Sequence, residues 1–149
     1  MSSVRKLRCM KCGREYAPAD VEYTCPICGN DGILEVIYDY DTIGPAFTCD
    51  TLAQDRDLSM WRYLPLLPVD ARPASLTLQI GWTPLYESRR IGPALGLDHV
   101  WFKDDGRNPT ASLKDRASAI AIAKALELGQ HTLTAATTGN AGSSLAGLG

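Results

Sequence analysis

Apolar and polar residues follow two different patterns along this chain. The stretch from Gly32 to Tyr40 is rich in β-branched and aromatic residues, which predicts a strand that completes a small antiparallel ribbon. Residues 117–126 are apolar almost all round, apart from Ser118 and Lys124, which predicts a heavily buried helix. The chain therefore combines a small sheet with at least one core helix.

From residue 81 onward, the pattern alternates between strand and helix. The predicted elements are a strand at 98–104, a helix from about 112, a strand at 131–136 and the start of a helix at 141–146. The first helix has Ser112 and Asp115 in the positions of a capping box and Gly129 at its C-terminal stop. This order predicts an α/β fold with a parallel sheet.

Four of the five cysteines form two Cys-x-x-Cys pairs, each followed by a glycine. They are Cys9 and Cys12 before Gly13, and Cys25 and Cys28 before Gly29. This spacing is typical of a closed four-thiolate zinc site, which leaves no open position for catalysis, and each glycine permits the left-handed backbone that closes its turn. Chance pairing of core cysteines and a redox-active dithiol are the alternatives. Cys49, the fifth cysteine, is expected to be buried or half-buried.

The chain is thus predicted to divide into three parts. These are a zinc ribbon at 1–40, an extended connector at 41–80 and an α/β domain at 81–149. Within the connector, the segment from Trp61 to Pro68 is apolar but interrupted by prolines. We therefore expect it to pack as an extended arm rather than a helix, with a partner-binding peptide as the alternative.

Composition and charge narrow the class of protein. The chain has 149 residues, of which 45% are hydrophobic and 21% charged, as is ordinary for a globular protein. Its net charge is −2, with five Lys/Arg against six Asp/Glu in residues 1–40 and ten against eleven in the rest. This balance argues against nucleic acid or an anionic membrane as partner. Without a signal peptide or an apolar run of ~18 residues, the expected location is cytoplasmic.

Two loops at the ends of the predicted strands carry candidate chemistry. Lys114 lies in the first turn of a helix, where the macrodipole and partial burial disfavour an ammonium and favour a nucleophilic amine. A solvated lysine is the alternative. The second loop, Thr137–Gly142, combines hydroxyls, a glycine and free N–H groups into a cradle for a carboxylate or phosphate, with a plain capped turn as the alternative.

Taken together, these loops resemble the fold type II family of pyridoxal-phosphate enzymes, and within it the threonine synthases. The resemblance rests on Asn108–Arg116 as the cofactor-lysine motif, Thr137–Gly142 as the Ser/Thr-x-Gly-Asn loop and Gly81–Leu85 as the Gly-x-Thr-Pro-Leu segment. Ala111 stands where the family usually has glycine, and Leu113 where it often has phenylalanine. The resemblance implies that the α/β part is the N-terminal portion of a doubly wound domain, preceded by the ribbon that many threonine synthases carry.

The resemblance also implies roles for individual residues. Lys114 would hold pyridoxal 5′-phosphate and later shuttle protons, and Asn140 would hydrogen-bond the 3′-oxygen of the cofactor. The loop residues Thr137, Thr138 and Gly139 would bind the substrate carboxylate. The implied reaction is a lyase reaction of threonine biosynthesis, in which O-phospho-L-homoserine and water give L-threonine and phosphate.

The family's glycine-rich phosphate loop and its pyridine-nitrogen partner have no counterpart here. We therefore expect an incomplete and inactive portion of a longer enzyme, which would be a homodimer at full length. Another fold type II enzyme, such as a cysteate synthase or a threonine/serine dehydratase, is the alternative within the family. A zinc-ribbon binding module is the alternative from a different class of protein.

Overall fold

The computed structural model describes residues 3–149, which fall into two compact units. The first holds the residues up to Asp55 together with Tyr63–Ala71, and the second holds Arg56–Arg62 and Arg72–Gly149. Over residues 3–149, no helix combines the length and the apolar character that a membrane crossing needs. Each unit has its own secondary structure.

A three-stranded antiparallel sheet forms the centre of the first unit. Strands β1 (Val4–Cys9), β2 (Glu15–Tyr16) and β3 (Leu34–Tyr38) are arranged in the order β2-β1-β3. Leu7 in the middle strand pairs with Tyr16 on one side and with Val36 on the other. The predicted antiparallel ribbon and its strand near residues 32–40 are therefore confirmed.

The rest of the first unit contains two short helices, α1 (Tyr40–Ile43) and α2 (Cys49–Gln54). Thr48 and Thr51 cap α2, since each side-chain oxygen accepts a hydrogen bond from the backbone N–H of the other. Cys49 is exposed at the start of this helix, so the expectation that it is buried or half-buried is wrong. The first turn of a short surface helix offers nothing to cover it.

The segment that was expected to be extended is helical instead. Met60–Leu66 forms a 3₁₀-helix that is interrupted by a kink at Tyr63. The kink divides the segment into two short turns, and Pro65 falls in the first turn of the second. A missing N–H costs nothing there, because the first turn of a helix has no partner for it.

The second unit begins with an antiparallel hairpin rather than a parallel sheet. Strand β4 (Leu85–Glu87) pairs with β5 (Trp101–Lys103), and the short helix α3 (Ile91–Ala94) lies between them in sequence. Residues 131–136 form no strand. The predicted second strand and parallel sheet are thus absent from residues 3–149, because a strand requires a neighbour with which to share hydrogen bonds and this segment has none there.

Two helices pack against each other in the second unit and carry its candidate loops. They are α4 (Lys114–Glu127) and α5 (Asn140–Leu148). One face of α4 is buried through Ala119, Ile122 and Ala123, while Ala121 and Lys124 on the opposite face are exposed. The heavy burial that the sequence predicts therefore holds for one face only.

The two ends of α4 differ from each other in how well the sequence predicts them. Gly129 has φ +68°, and the N–H groups of Gly129 and Gln130 donate to the carbonyls of Leu126 and Ala125, which is the expected glycine stop. The predicted capping box is wrong. The N-cap is Leu113, which has no side-chain cap, and the Asp115 side chain is turned into the protein.

A polar cluster fastens the loop before α4 to the Gly81–Leu85 segment. Arg116 donates two hydrogen bonds to the Asp105 carboxylate, at 2.9 Å each, and the Thr83 hydroxyl donates to the same carboxylate at 2.6 Å. Asn108 accepts from the Gly81 N–H at 2.9 Å. The arginine and the Thr83 hydroxyl lower the pKa of Asp105 to about 2, so this carboxylate is charged at neutral pH.

Ala111, in the same loop, has a left-handed backbone with φ +58°. This conformation costs a residue with a Cβ about 1–2 kcal/mol, whereas the extra freedom of glycine in the unfolded chain costs about 0.4–1 kcal/mol. We expect Ala111→Gly to raise the free energy of unfolding by about 0.5 kcal/mol. Ala121→Gly, at an exposed position inside α4, should instead lower it by about 1 kcal/mol. Denaturant unfolding compares them, and equal losses in both variants would contradict the strain at Ala111.

Asp105→Asn should lower the free energy of unfolding by about 1–2 kcal/mol at pH 7. Since the folded-state pKa of Asp105 lies below its ordinary value of 3.8, its contribution is complete above pH 4 and is lost as the pH falls towards 2. The difference in stability between the two proteins should therefore shrink between about pH 4 and pH 2. Unfolding measured across this range tests the expectation, and a difference that stays constant would contradict it.

Candidate functional site

Four cysteines of the first unit converge on one point. The Sγ atoms of Cys9, Cys12, Cys25 and Cys28 all lie within 4.8 Å of one another. Two equivalent turns bring them there: the Gly13 N–H donates to the Cys9 carbonyl, and the Gly29 N–H donates to the Cys25 carbonyl, both at 2.9 Å. Both glycines have positive φ, as the sequence predicts.

The spacing of the sulfurs fits a tetrahedral metal ion. Sulfurs bound to zinc at about 2.3 Å in a tetrahedron lie about 3.8 Å apart. The Sγ atoms of Cys12 and Cys25 are separated by 3.8 Å. The cluster could therefore hold a metal ion through four thiolates, and such a site has no free coordination position.

Charge in this cluster is unevenly distributed among the thiols. A hydrogen bond from the Tyr16 hydroxyl lowers the pKa of Cys25 to about 6. Cys12, through its hydrogen bond, raises the pKa of Cys28 to about 12. Crowded thiols resist ionising together because like charges repel, so a bound cation would favour the fully ionised cluster.

The side chain of Tyr16 contacts the cysteine cluster. Its hydroxyl lies 3.0 Å from the Sγ of Cys25, which is fully buried. Strand β2 holds Tyr16 in place opposite Leu7 of β1. No local pattern singles out this tyrosine, because its contact with Cys25 depends on the register of the two strands.

The second candidate site lies in the second unit, where the lysine loop faces the start of α5. Lys114 and the residues from Ala136 to Ala141 line one cavity of about 610 Å³. The predicted site residues Lys114, Thr137, Thr138, Gly139 and Asn140 are therefore brought together in a single place. The cavity is open to solvent, and Lys114 is exposed at its edge, so the expected partial burial of this lysine is wrong.

Thr137 is engaged by its own loop. Its Oγ1 accepts hydrogen bonds from the N–H groups of Gly139 and Gly142, each at 3.0 Å. Gly142 is the third residue of α5, so Thr137 caps this helix from outside. Gly139 has φ +146°, a conformation that residues with a Cβ rarely adopt.

The side chains of Lys114, Thr138 and Asn140 remain available to a ligand. Among residues 3–149, none of these three side chains has a hydrogen-bond or ion-pair partner. An amine, a hydroxyl and an amide thus face a cavity that the first two residues of α5, Asn140 and Ala141, also line. An amine can react with the carbonyl group of pyridoxal phosphate, and a helix N-terminus favours a negatively charged ligand, so these groups are compatible with this cofactor.

Sequence reasoning missed the polar residues that support these two loops. Asp115 is fully buried and accepts hydrogen bonds from Thr110 and Ser144. The helical spacing does indicate that Asp115 is buried, since it lies four and seven residues before the buried Ala119 and Ile122. That spacing places it on the buried face of α4, which is incompatible with a capping role.

Comparison with known families agrees with this site. Residues 76–149 match the family described as pyridoxal-phosphate dependent enzymes, and this part of the chain belongs to that family. The fold is accordingly that of a fold type II enzyme domain with α/β content. Residues 3–149 do not contain the doubly wound sheet that the sequence predicts. No solved structure matches the chain.

Within this family, the chain is homologous to threonine synthases. That of Methanosarcina acetivorans is 43% identical over 140 residues, and that of Methanocaldococcus jannaschii is 40% identical over 139 residues. These matches cover 94% and 93% of this chain and 33% of each relative, so the chain spans about a third of their length. Cysteine synthase B of Escherichia coli is 42% identical over 77 residues, which is 49% of this chain and 25% of that protein.

The Tyr16 contact leads to a prediction about metal binding. Hydrogen bonds to metal ligands typically change affinity by about 10–100-fold when they are removed. We expect Tyr16→Phe to weaken zinc binding by about tenfold, measured by competition with a chelator of known affinity. In the cobalt-loaded protein, the thiolate-to-metal absorption bands should also shift, because the electron density on the Cys25 sulfur changes.

Tyr40→Phe is the matched control, since Tyr40 is 63% exposed and lies outside the cysteine cluster. Cys25→Ser removes one of the four sulfurs and should therefore lose the metal ion altogether. If Tyr16→Phe had the affinity and cobalt spectrum of the Tyr40→Phe variant, the hydrogen bond would have no influence on the metal.

Proposed function

We propose that the chain belongs to a threonine synthase, a lyase that converts O-phospho-L-homoserine and water into L-threonine and phosphate. The observation that carries this proposal is the single cavity shared by Lys114 and the Thr137–Ala141 loop. The homology to threonine synthases over 93–94% of the chain supports the choice of reaction. Since those relatives are about three times as long, the activity is proposed for the whole enzyme.

In this proposal, Lys114 would hold the cofactor through its amine and would move protons at the α, β and γ carbons of the substrate. When bound, pyridoxal phosphate supplies an electron sink for the reacting amino acid. The exposed Nζ of Lys114 faces no competing carboxylate among residues 3–149, which leaves the amine free to react.

The opposite side of the cavity orients the ligands. The Asn140 amide would donate a hydrogen bond to the 3′-oxygen of the cofactor and thereby fix the ring. The segment Thr137–Gly139 would hold the substrate carboxylate through its N–H groups and the Thr138 hydroxyl. The positive end of the α5 dipole favours a negative charge at this position.

The metal centre has a structural part in this proposal. We propose zinc as the ion, because four thiolates in a closed tetrahedron are the typical environment of structural zinc. The first unit has few buried apolar side chains besides Cys9 and Cys25, so its apolar core alone contributes little to its stability. Metal binding would thus stabilise the fold of the first unit rather than take part in the chemistry.

A second candidate function is a β-replacement reaction of the cysteine synthase kind. The match to cysteine synthase B of Escherichia coli favours it. That match covers only 49% of the chain, whereas the threonine synthase matches extend over nearly all of it. Phosphate release from O-phosphohomoserine, compared with turnover of O-phosphoserine and sulfide by the same full-length protein, separates the two reactions.

We expect the full-length protein to show the absorbance of covalently bound pyridoxal phosphate, and borohydride to fix the cofactor to the peptide that contains Lys114. Lys114→Ala should abolish both the absorbance and the labelled peptide, because no other amine lines the cavity within residues 3–149. Mass spectrometry of the reduced protein gives the position of the label.

Lys124→Ala is the control, since Lys124 lies on the same helix and pairs with Glu127 at 3.0 Å. This variant should keep the label. Label on a residue other than Lys114, or an undiminished label in Lys114→Ala, would contradict the proposed role of the lysine.

A further inference from the structure

We propose that Asp115 is a positioning residue that sets the distance between the two sides of the cofactor site. Its buried carboxylate joins the loop that carries Lys114 to the helix that begins at Asn140. The inference rests on the proposed function, because it concerns the alignment of groups that would bind pyridoxal phosphate.

The first connection runs from Asp115 to the lysine loop. One carboxylate oxygen accepts the Thr110 N–H at 2.8 Å, and the other accepts the Thr110 hydroxyl. These bonds close the loop from Thr110 to Asp115 and hold Lys114, the residue just before Asp115, at its end. The side chain of Asp115 is completely buried, so water does not compete for these donors.

The second connection runs from Asp115 to α5. The Ser144 hydroxyl donates to the carboxylate at 2.6 Å, and Ser144 is itself completely buried. Ser144 lies four residues after Asn140, one helical turn away on the same helix. A movement of Ser144 relative to Asp115 would therefore shift Asn140 relative to Lys114 by a similar amount.

A close packing contact next to this bond limits sliding between the two elements. A Cβ atom on Gly147, three residues after Ser144, would lie 2.8 Å from the Cγ2 of Thr110. Thr110 thus meets α5 at the turn after Ser144, and its hydroxyl meets Asp115. The hydrogen bond defines the register of the two elements, and the missing side chain of Gly147 defines how near they lie.

A purely structural contact at this place would not require a carboxylate. Burying a charged group is costly unless donors compensate it, whereas apolar side chains of the same volume pack without that cost. A carboxylate with three donors has a directional preference that apolar packing lacks. Because Asp115 lies between the two loops that face the ligand, the direction of its hydrogen bonds would set how these loops are aligned around the cofactor.

The test uses the full-length protein and removes one hydroxyl at a time. Ser144→Ala deletes the donor on α5, and alanine is a better helix former than serine. Thr110→Val deletes the donor on the loop and keeps the shape, while Thr110→Ser restores the hydroxyl. Ser143→Ala is the control on α5, because the Ser143 hydroxyl is exposed and donates to the Asn140 carbonyl at 3.2 Å.

We expect Ser144→Ala and Thr110→Val to weaken binding of pyridoxal phosphate by about tenfold, as measured by absorbance titration. Both should also move the absorption maximum of the bound cofactor and slow its borohydride capture at Lys114. Thr110→Ser and Ser143→Ala should resemble the wild type. The double variant should lose little more than either single one, because both hydroxyls act through one carboxylate.

The outcomes separate this inference from the proposed function. Absence of covalent cofactor in the wild type would overturn the proposed function itself. Covalent cofactor in the wild type, with Ser144→Ala and Thr110→Val equal to Ser143→Ala in affinity and spectrum, would overturn only the role of Asp115. If either variant fails to fold, Asp115→Asn, which keeps the volume of the side chain, takes its place with the same expectations.

Discussion

Polar groups taken out of water must find partners, and this constraint shapes both units. In the second unit, the Asp115 carboxylate is buried among the donors of Thr110 and Ser144, and these hydrogen bonds connect α4 to α5. In the first unit, the buried Cys9 and Cys25 belong to a cluster of four thiols that could hold a metal ion.

The features that the sequence predicts well are those with a local cause. The turns after Cys12 and Cys28 follow from cysteine spacing and a left-handed glycine, and both occur as expected. The stop of α4 at Gly129 follows from the same property of glycine. The meeting of the Lys114 and Asn140 loops in one cavity was anticipated through the resemblance of their motifs, and the roles of these residues stay predictions.

The features that the sequence does not predict depend on distant partners. Residues 131–136 have the composition of a strand, yet a strand exists only where a neighbour supplies hydrogen bonds. Asp115 matches a capping box in the sequence, but donors from Thr110 and from another helix draw it inward. The contact between Tyr16 and Cys25 arises from strand register, which no local pattern contains. Local sequence patterns cannot predict these contacts, because the partners are distant in sequence and meet only in the folded chain.

The Thr137 hydroxyl, which caps α5, would compete with any ligand for the N–H groups of this loop. The N–H groups of Gly139 and Gly142 already have an acceptor, so an incoming group gains only the difference between its own hydrogen bond and that of a neutral hydroxyl. A charged oxygen would displace the hydroxyl, because charge-assisted hydrogen bonds are stronger than neutral ones. A neutral carbonyl would gain almost no binding free energy from the same replacement. Under the proposed function, exchange at these two N–H groups would therefore favour a carboxylate over a neutral carbonyl.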